Sequence, residues 1–284
     1  MPVAPTIPAG PPSPAHRTLG RNLPVAIAVG IALATLFLGT LFLHPVAFLV
    51  FIAAMVILGL LELDRAFRSK ELCPATPVAL AAGLVLIFGT YAAGPSGQSA
   101  GLALLVVGAA AWPLLRRGVQ RPLRSMGVTC LMVLWVPFLA SYIGLLLARP
   151  QGEWFVMATV ALTVSSDIGA FAFGSRYGRH KLAPSISPAK SWEGFAGGLG
   201  TALLLAVLVT ANVPGFTLAT ALALAVGVCA AATVGDLAES MVKRDLGVKD
   251  LGGLLPGHGG IMERADAVIF ALPVAHLLLL ALGS

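Results

Sequence analysis

Long apolar runs separated by short polar segments dominate the chain. They fall near residues 23–43, 46–62, 76–94, 99–115, 126–148, 154–173, 195–213, 216–235 and 266–282. Each is about long enough to cross the ~30 Å hydrocarbon layer of a bilayer as an α-helix. The pattern predicts an all-α, polytopic integral membrane protein with about nine transmembrane helices. The first two runs are divided only at His44-Pro45, where proline supports a break. Residues 1–22 are rich in Pro, Ala, Gly and Ser, and no apolar run precedes Leu23. That composition predicts a disordered tail and no signal peptide.

The positions of Lys and Arg test the count. Nine spans with a cytoplasmic N-terminus put the tail and segments 63–75, 116–125, 174–194 and 236–265 on the inside. Those segments hold seventeen of the eighteen cations, leaving only Arg149 outside. A wrong count would scatter them, so the positive-inside rule supports this topology. Composition agrees: 58% of residues are hydrophobic and only 11% charged, against about a quarter charged in a soluble domain. The net charge of +6 then reflects topology and anionic headgroups, and no nucleic-acid partner is expected. Cys73, Cys130 and Cys229 have no ligand spacing and no disulfide framework.

Acidic residues divide the chain unequally. Eight of the twelve lie between Asp167 and Asp266. The expected organisation is therefore a tail (1–22), an N-terminal transmembrane scaffold of about five helices (23–153), and a C-terminal catalytic region of about four (154–284). Cytoplasmic loops 174–194 and 236–265 carry its chemistry. The scaffold is expected to supply lipid contact or an oligomer interface.

The stretch from Val234 to Asp266 concentrates that chemistry. Asp236, Glu239 and Ser240 share one helix face at i, i+3 and i+4, and Lys243 and Arg244 roughly continue it. Two carboxylates a turn apart suit a hard divalent cation. Pairing of Glu239 with Lys243 at a solvated helix end is the plainer alternative. Asp236, however, directly follows an apolar run, where a carboxylate costs up to ~3 kcal/mol and needs a partner. Glu263 and Asp266 form a second pair at the start of the last span, with Arg264 between them. Favourable alignment with the helix macrodipole alone would explain the acids but not the arginine. The two pairs could converge on a two-metal site. Between them, Pro256-Gly-His-Gly-Gly260 lets backbone amides approach an anion, and His258 could bind phosphate or donate a proton.

The basic segment Gly174–Gly194 reads either as a loop lying on anionic lipid or as a clamp for phosphates. Asp167, late in the sixth span, needs a partner, with Arg176 or a metal as candidates. His44 and His276 are read as structural.

These residues resemble a known signature. Ser240-Met-Val-Lys-Arg244, Lys249-Asp250, Pro256-Gly-His-Gly-Gly260 and Glu263-Arg-Ala-Asp266 look like that of the phosphatidate cytidylyltransferases (CDP-diacylglycerol synthases). Ser166-Asp167 with Gly174, and Ser187-Pro-Ala-Lys-Ser-Trp-Glu-Gly194, resemble two further family segments. The likeness covers residues 160–280 closely. It implies that CTP and phosphatidic acid give CDP-diacylglycerol and pyrophosphate with Mg²⁺, one or two ions, a monovalent cation remaining an open addition. It implies metal ligands at Asp236 and Glu263, although the family usually has Asp at the latter position. On the sequence alone, Glu263→Asp is expected to keep or raise activity.

In the resulting hypothesis Lys243, Arg244 and Arg264 stabilise the leaving pyrophosphate. Lys190, with Ser187, clamps one substrate's phosphates. Asp167, Glu239, Asp250, His258 and Asp266 orient ligands or waters, while Ser240, Lys249, Gly259 and Gly260 complete substrate binding. Expected partners are CTP, phosphatidic acid and membrane lipids, with a homodimer left open. The expected location is the inner (plasma) membrane, with the active site facing the cytoplasm. Rival readings are a CTP-using polyprenol kinase, a synthase for archaeal-type lipids, and an ion or phosphate transporter. Against transport, the acids gather at one membrane face and no inverted repeat is visible.

Overall fold

The computed structural model describes residues 23–116, 119, 121–213, 216–253 and 259–283. Among them the chain forms nine helices: α1 (Leu23–Leu43), α2 (Pro45–Arg68), α3 (Thr76–Ala93), α4 (Pro95–Leu115), α5 (Pro122–Leu147), α6 (Gly152–Tyr177), α7 (Trp192–Asn212), α8 (Leu218–Asp245) and α9 (Met262–Ala281). The helices from α2 to α9 are each long and apolar enough to cross a membrane. α1 has 21 residues, with Ile27–Leu43 as its apolar stretch. The chain is an all-α polytopic membrane protein, as the apolar runs predict.

Local chemistry explains where the helices start. Proline opens α2, α4 and α5, and lies within the first two positions of α3. There its missing N–H is not needed and its fixed φ suits the first turn. The short break before α2 is closed by His44, whose Nδ1 accepts a hydrogen bond from Val46 N at 3.2 Å. Inside α5, Pro137 lies in a widened π turn, Leu134–Phe138. A proline cannot donate to the helical ladder, and the wider turn accommodates the loss.

Lipid is the solvent for much of the outer surface. Leu114, Leu123 and Phe171 are each more than three-quarters exposed, which is costly in water but not against acyl chains. At the ends of α2, α4 and α5 a basic cleft of about 520 Å³ includes Arg68, Arg116, Arg121 and Arg124. Such a lining suits contact with anionic headgroups.

The C-terminal four helices set the positions of the acidic residues. α8 runs ten residues beyond the apolar run that ends at 235, reaching Asp245. The carboxylates therefore continue a rigid helix and do not lie in a loop. α6 likewise continues to Tyr177. What remains of segment 174–194 folds into an antiparallel hairpin, β1 (Lys181–Ala183) and β2 (Ser187–Ser191), with Lys181 opposite Ser191 and Ala183 opposite Ser187. Ser191 Oγ then caps α7 by accepting from Gly194 N at 3.1 Å. Glu193, in that first turn, accepts from the backbone N–H groups of Arg179 and His180 and from the His180 ring, which closes the hairpin onto α7. A basic loop is legible in the sequence; this folding of it is not.

Candidate active site

The ends of α6, α8 and the hairpin surround a cavity of about 380 Å³. Its polar lining includes Ser166 and Asp167 from α6, Lys190 and Ser191 from β2, and Thr233 and Asp236 from α8. Cys229, Thr233 and Asp236 follow one another at helical spacing, so α8 turns a single face to the cavity. Phe171 and Phe195 supply apolar wall. Asp167 lies ten residues before the end of α6, about 15 Å along the axis. The cavity thus reaches from the hairpin to well inside the apolar length of α6.

Lys190 is the central cation. Its Nζ pairs with Asp236 Oδ2, and both side chains are about a quarter exposed. Asp167 lines the same cavity and feels both charges, the repulsion of Asp236 more than the attraction of Lys190, so Lys190 offsets its charge only in part. The candidate Arg176 instead lies over the Tyr177 ring, 5.9 Å from its centroid. A lysine between two carboxylates leaves the group net negative.

A second set of charges lies where α8 meets α9. Gly235 allows the approach: a Cβ there would stand 2.5 Å from the Asp266 carbonyl oxygen. The Asp266 carboxyl group comes within hydrogen-bonding reach of both Asp236 and Glu239. Its Oδ1 also accepts from Ala267 N at 2.8 Å. Glu239 is 3% exposed and pairs with Lys243 at 3.0 Å, the i, i+4 pairing anticipated as the plainer alternative. Lys243 Nζ is also 3.9 Å from Glu263. Glu239 Oε1 is buried without a partner among the described residues, which is expensive for a charged acceptor.

Glu263 fastens the loop. Its Oε1 accepts from Leu251 N and its Oε2 from Gly260 N, both at 3.2 Å. Gly259 adopts φ of +82° beside it, a conformation that favours glycine. Arg244 Nε reaches Ile186 O at 3.4 Å, tying the end of α8 to the hairpin turn.

A cytidylyltransferase-family profile matches residues 24–282. The chain belongs to the cytidylyltransferase family. It is 36% identical over 276 residues to the phosphatidate cytidylyltransferase of Mycobacterium leprae, covering 92% of this chain and 88% of that one. It is 32% identical over 284 residues to the phosphatidate cytidylyltransferase of Haemophilus influenzae, covering 89% of this chain and 95% of that one. The match thus includes the apolar N-terminal half as well as the signature region.

Within this family fold, the expected site residues separate into three groups. Asp167, Lys190 and Asp236 share the cavity, with Glu239 and Asp266 adjoining Asp236. Lys243, Glu263, Gly259 and Gly260 form the neighbouring loop-and-helix junction, and Asp250 is in electrostatic reach of Glu263. Ser187 starts β2 opposite Ala183 and Ser240 is half-buried on α8, while Lys249, Arg244 and Arg264 are exposed. His258 lies outside the described residues. Ser191, Thr233 and Cys229 also line the cavity, and only their helical or strand spacing from Asp236 and Lys190 could have indicated them.

Mg²⁺ is the cofactor that the signature implies. Among the described residues, no three His, Cys, Asp or Glu side chains already stand as a cation cage. The donor chemistry nevertheless fits: Asp266 adjoins Asp236 and Glu239 at the α8–α9 junction, and one buried oxygen of Glu239 has no partner among the described residues. Hard oxygen donors of this kind suit Mg²⁺.

Proposed function

We propose that this chain transfers the cytidylyl group of CTP to phosphatidic acid, releasing pyrophosphate, on the cytoplasmic side of the plasma membrane. The observation that carries this reading is that Asp236 pairs with Lys190 at a cavity shared with Asp167 and, on its other side, adjoins Asp266, which also adjoins Glu239. Family membership supports the nucleotidyl chemistry, and the relatives' names support the lipid substrate.

A phosphate oxygen of phosphatidic acid attacks the α-phosphorus of CTP. The new P–O bond forms as the bond to the bridging oxygen breaks, and pyrophosphate departs with that electron pair. No nucleophile from the protein is required, so positioning and charge neutralisation are the protein's tasks. Lys190 draws the phosphates towards Asp236 and offsets their charge. Lys243, Arg244 and Arg264 face the departing pyrophosphate. The Gly260 N–H is taken by Glu263 and so is not among the groups offered to phosphate, while the apolar wall at Phe171 and Phe195 accepts acyl chain. Asp236, with Asp266 and Glu239, would hold Mg²⁺, which supplies neutralisation of phosphate charge when bound. Glu263 acts through the loop that its carboxylate fastens.

That role reverses the direction expected from sequence for Glu263→Asp. Aspartate is shorter by one methylene and cannot retain both 3.2 Å contacts. The variant is expected to lose about ten-fold in kcat/KM, about 1.4 kcal/mol. Initial rates at varied CTP test this, and unchanged rates would return Glu263 to the simple ligand role.

The function itself is tested with purified protein, Mg²⁺, phosphatidic acid and CTP labelled at the α-phosphate. Label entering the lipid phase, and lost on EDTA addition, is the expected result. No lipid label, but transfer from γ-labelled CTP to a prenol, would replace this reading with a lipid kinase. Flux into proteoliposomes without CTP consumption would favour transport.

A further inference from the structure

Glu62 belongs to α2, in the half of the chain read as scaffold, yet it reaches the start of α9. It is 1% exposed. Its Oε2 accepts from Ile261 N at 2.7 Å and from Met262 N at 3.1 Å, across 199 and 200 residues of sequence. Those N–H groups open a helix whose own N-terminal residue offers no side-chain cap. The first N–H groups of a helix have no intrahelical acceptor, and a carboxylate there is favoured by the macrodipole. A glutamate from another helix thus performs a task that is usually local.

The surroundings are shaped to this carboxylate. Gly252 lies directly against it, and a Cβ on Gly260 would stand 2.8 Å from Oε2. One turn before Glu62, a Cβ on Gly59 would stand 3.1 Å from Met262 Sδ. α2 therefore presses on both sides of the same junction: on the glycines before α9 and on its first residue. The second oxygen, Oε1, is buried without a partner among the described residues. A buried charge with an unsatisfied oxygen is costly, so an apolar residue would better serve packing alone.

We propose that Glu62 is a positioning residue for the reaction. By gripping Ile261 and Met262 it fixes the height and rotation of α9, and with them Glu263 on the loop and Asp266 beside Asp236 and Glu239. The proposal rests on the cytidylyl-transfer reading of that site. It assigns the N-terminal half a share in the active site that neither charge nor spacing reveals.

The test uses the full chain in detergent with Glu62→Leu and Glu62→Gln, measuring hydrogen exchange of peptides covering 259–266 and 271–281, together with kcat and KM for CTP. The leucine variant is expected to speed exchange at 261–262 about ten-fold or more while 271–281 keeps its protection. Its kcat is expected to fall on the order of 30-fold, with a smaller change in KM. The glutamine variant, whose carbonyl oxygen can accept both N–H groups, is expected to restore protection and to keep kcat within about three-fold of wild type. Unchanged exchange and rates in the leucine variant would overturn the proposal. So would a glutamine variant that keeps protection at 261–262 but has lost turnover, and this second arm decides the matter if the leucine variant does not fold. Failure of the wild type to label lipid, with the exchange pattern as expected, would instead overturn the functional reading and leave the capping contact intact.

Discussion

Asp236→Asn is expected to reduce cytidylyl transfer by on the order of 10³-fold or more, about 4 kcal/mol of transition-state stabilisation. The change keeps the size of the side chain and removes its charge. Asp236 is the one carboxylate that belongs to both parts of the site, paired with Lys190 at the cavity and within reach of Asp266 at the α8–α9 junction. Neutralising it would deprive Lys190 of its ion-pair partner and would take a charged donor from the proposed Mg²⁺ ligands. Folding should survive, since removing one of several crowded carboxylates relieves repulsion. Initial rates of lipid labelling and a thermal melt in detergent check this together. A folded Asp236→Asn protein with wild-type rates would remove Asp236 from the mechanism.

Lys190→Met is expected to have the second largest effect, a loss of about 10²-fold in kcat/KM. Methionine retains the length and apolar stem of lysine, so the hairpin should still pack. Without the ammonium group the cavity keeps Asp167 and Asp236 and loses its cation, so an incoming phosphate meets more negative charge there. Lys190→Arg should recover part of the loss, because charge returns but the planar guanidinium does not reproduce a compact ammonium. Rates at several ionic strengths distinguish the cases. The methionine variant should be less sensitive to salt than wild type if Lys190 attracts the nucleotide electrostatically. Equal salt dependence and equal rates would make the Lys190–Asp236 pair merely structural.

Several elements of the site were legible one helix at a time. Asp236, Glu239 and Lys243 share a face because the helical period is a local property, and α8 carries that period to Asp245. Asp167 and Asp236 could be marked as requiring partners because an isolated carboxylate near hydrocarbon is expensive wherever the chain later places its neighbours. The identity of each partner was another matter. Lys190 pairs with Asp236 and lines one cavity with Asp167, from a hairpin whose two strands total eight residues and whose sequence reads equally well as a loop. Short strands with a proline and little alternation carry almost no periodic signal.

Glu263 and Glu62 show the same division more sharply. As sequence, Glu263 is an acid in the first turn of a helix, and its spacing from Asp266 suggests a ligand pair. In the folded chain both of its oxygens accept from backbone N–H groups. Glu62 ends an apolar run with Asp64 and Arg65 close by in sequence, and nothing local separates it from an ordinary helix-end acid. Its partners are 199 and 200 residues away.

By itself, then, the order of residues determined that the chain spans a membrane as helices and that its acids and cations gather towards one end of them. It also determined which carboxylates share a helix face. These follow from burial of apolar length in lipid, from charge placement and from the 3.6-residue period, all readable within a single segment. Only the tertiary structure decided that Lys190 serves Asp236, that Asp266 faces both Asp236 and Glu239, and that a scaffold helix holds the start of α9. Those contacts depend on how closely the helices approach at residues such as Gly235 and Gly59. That approach is set by packing across the whole bundle, which no single stretch of sequence contains.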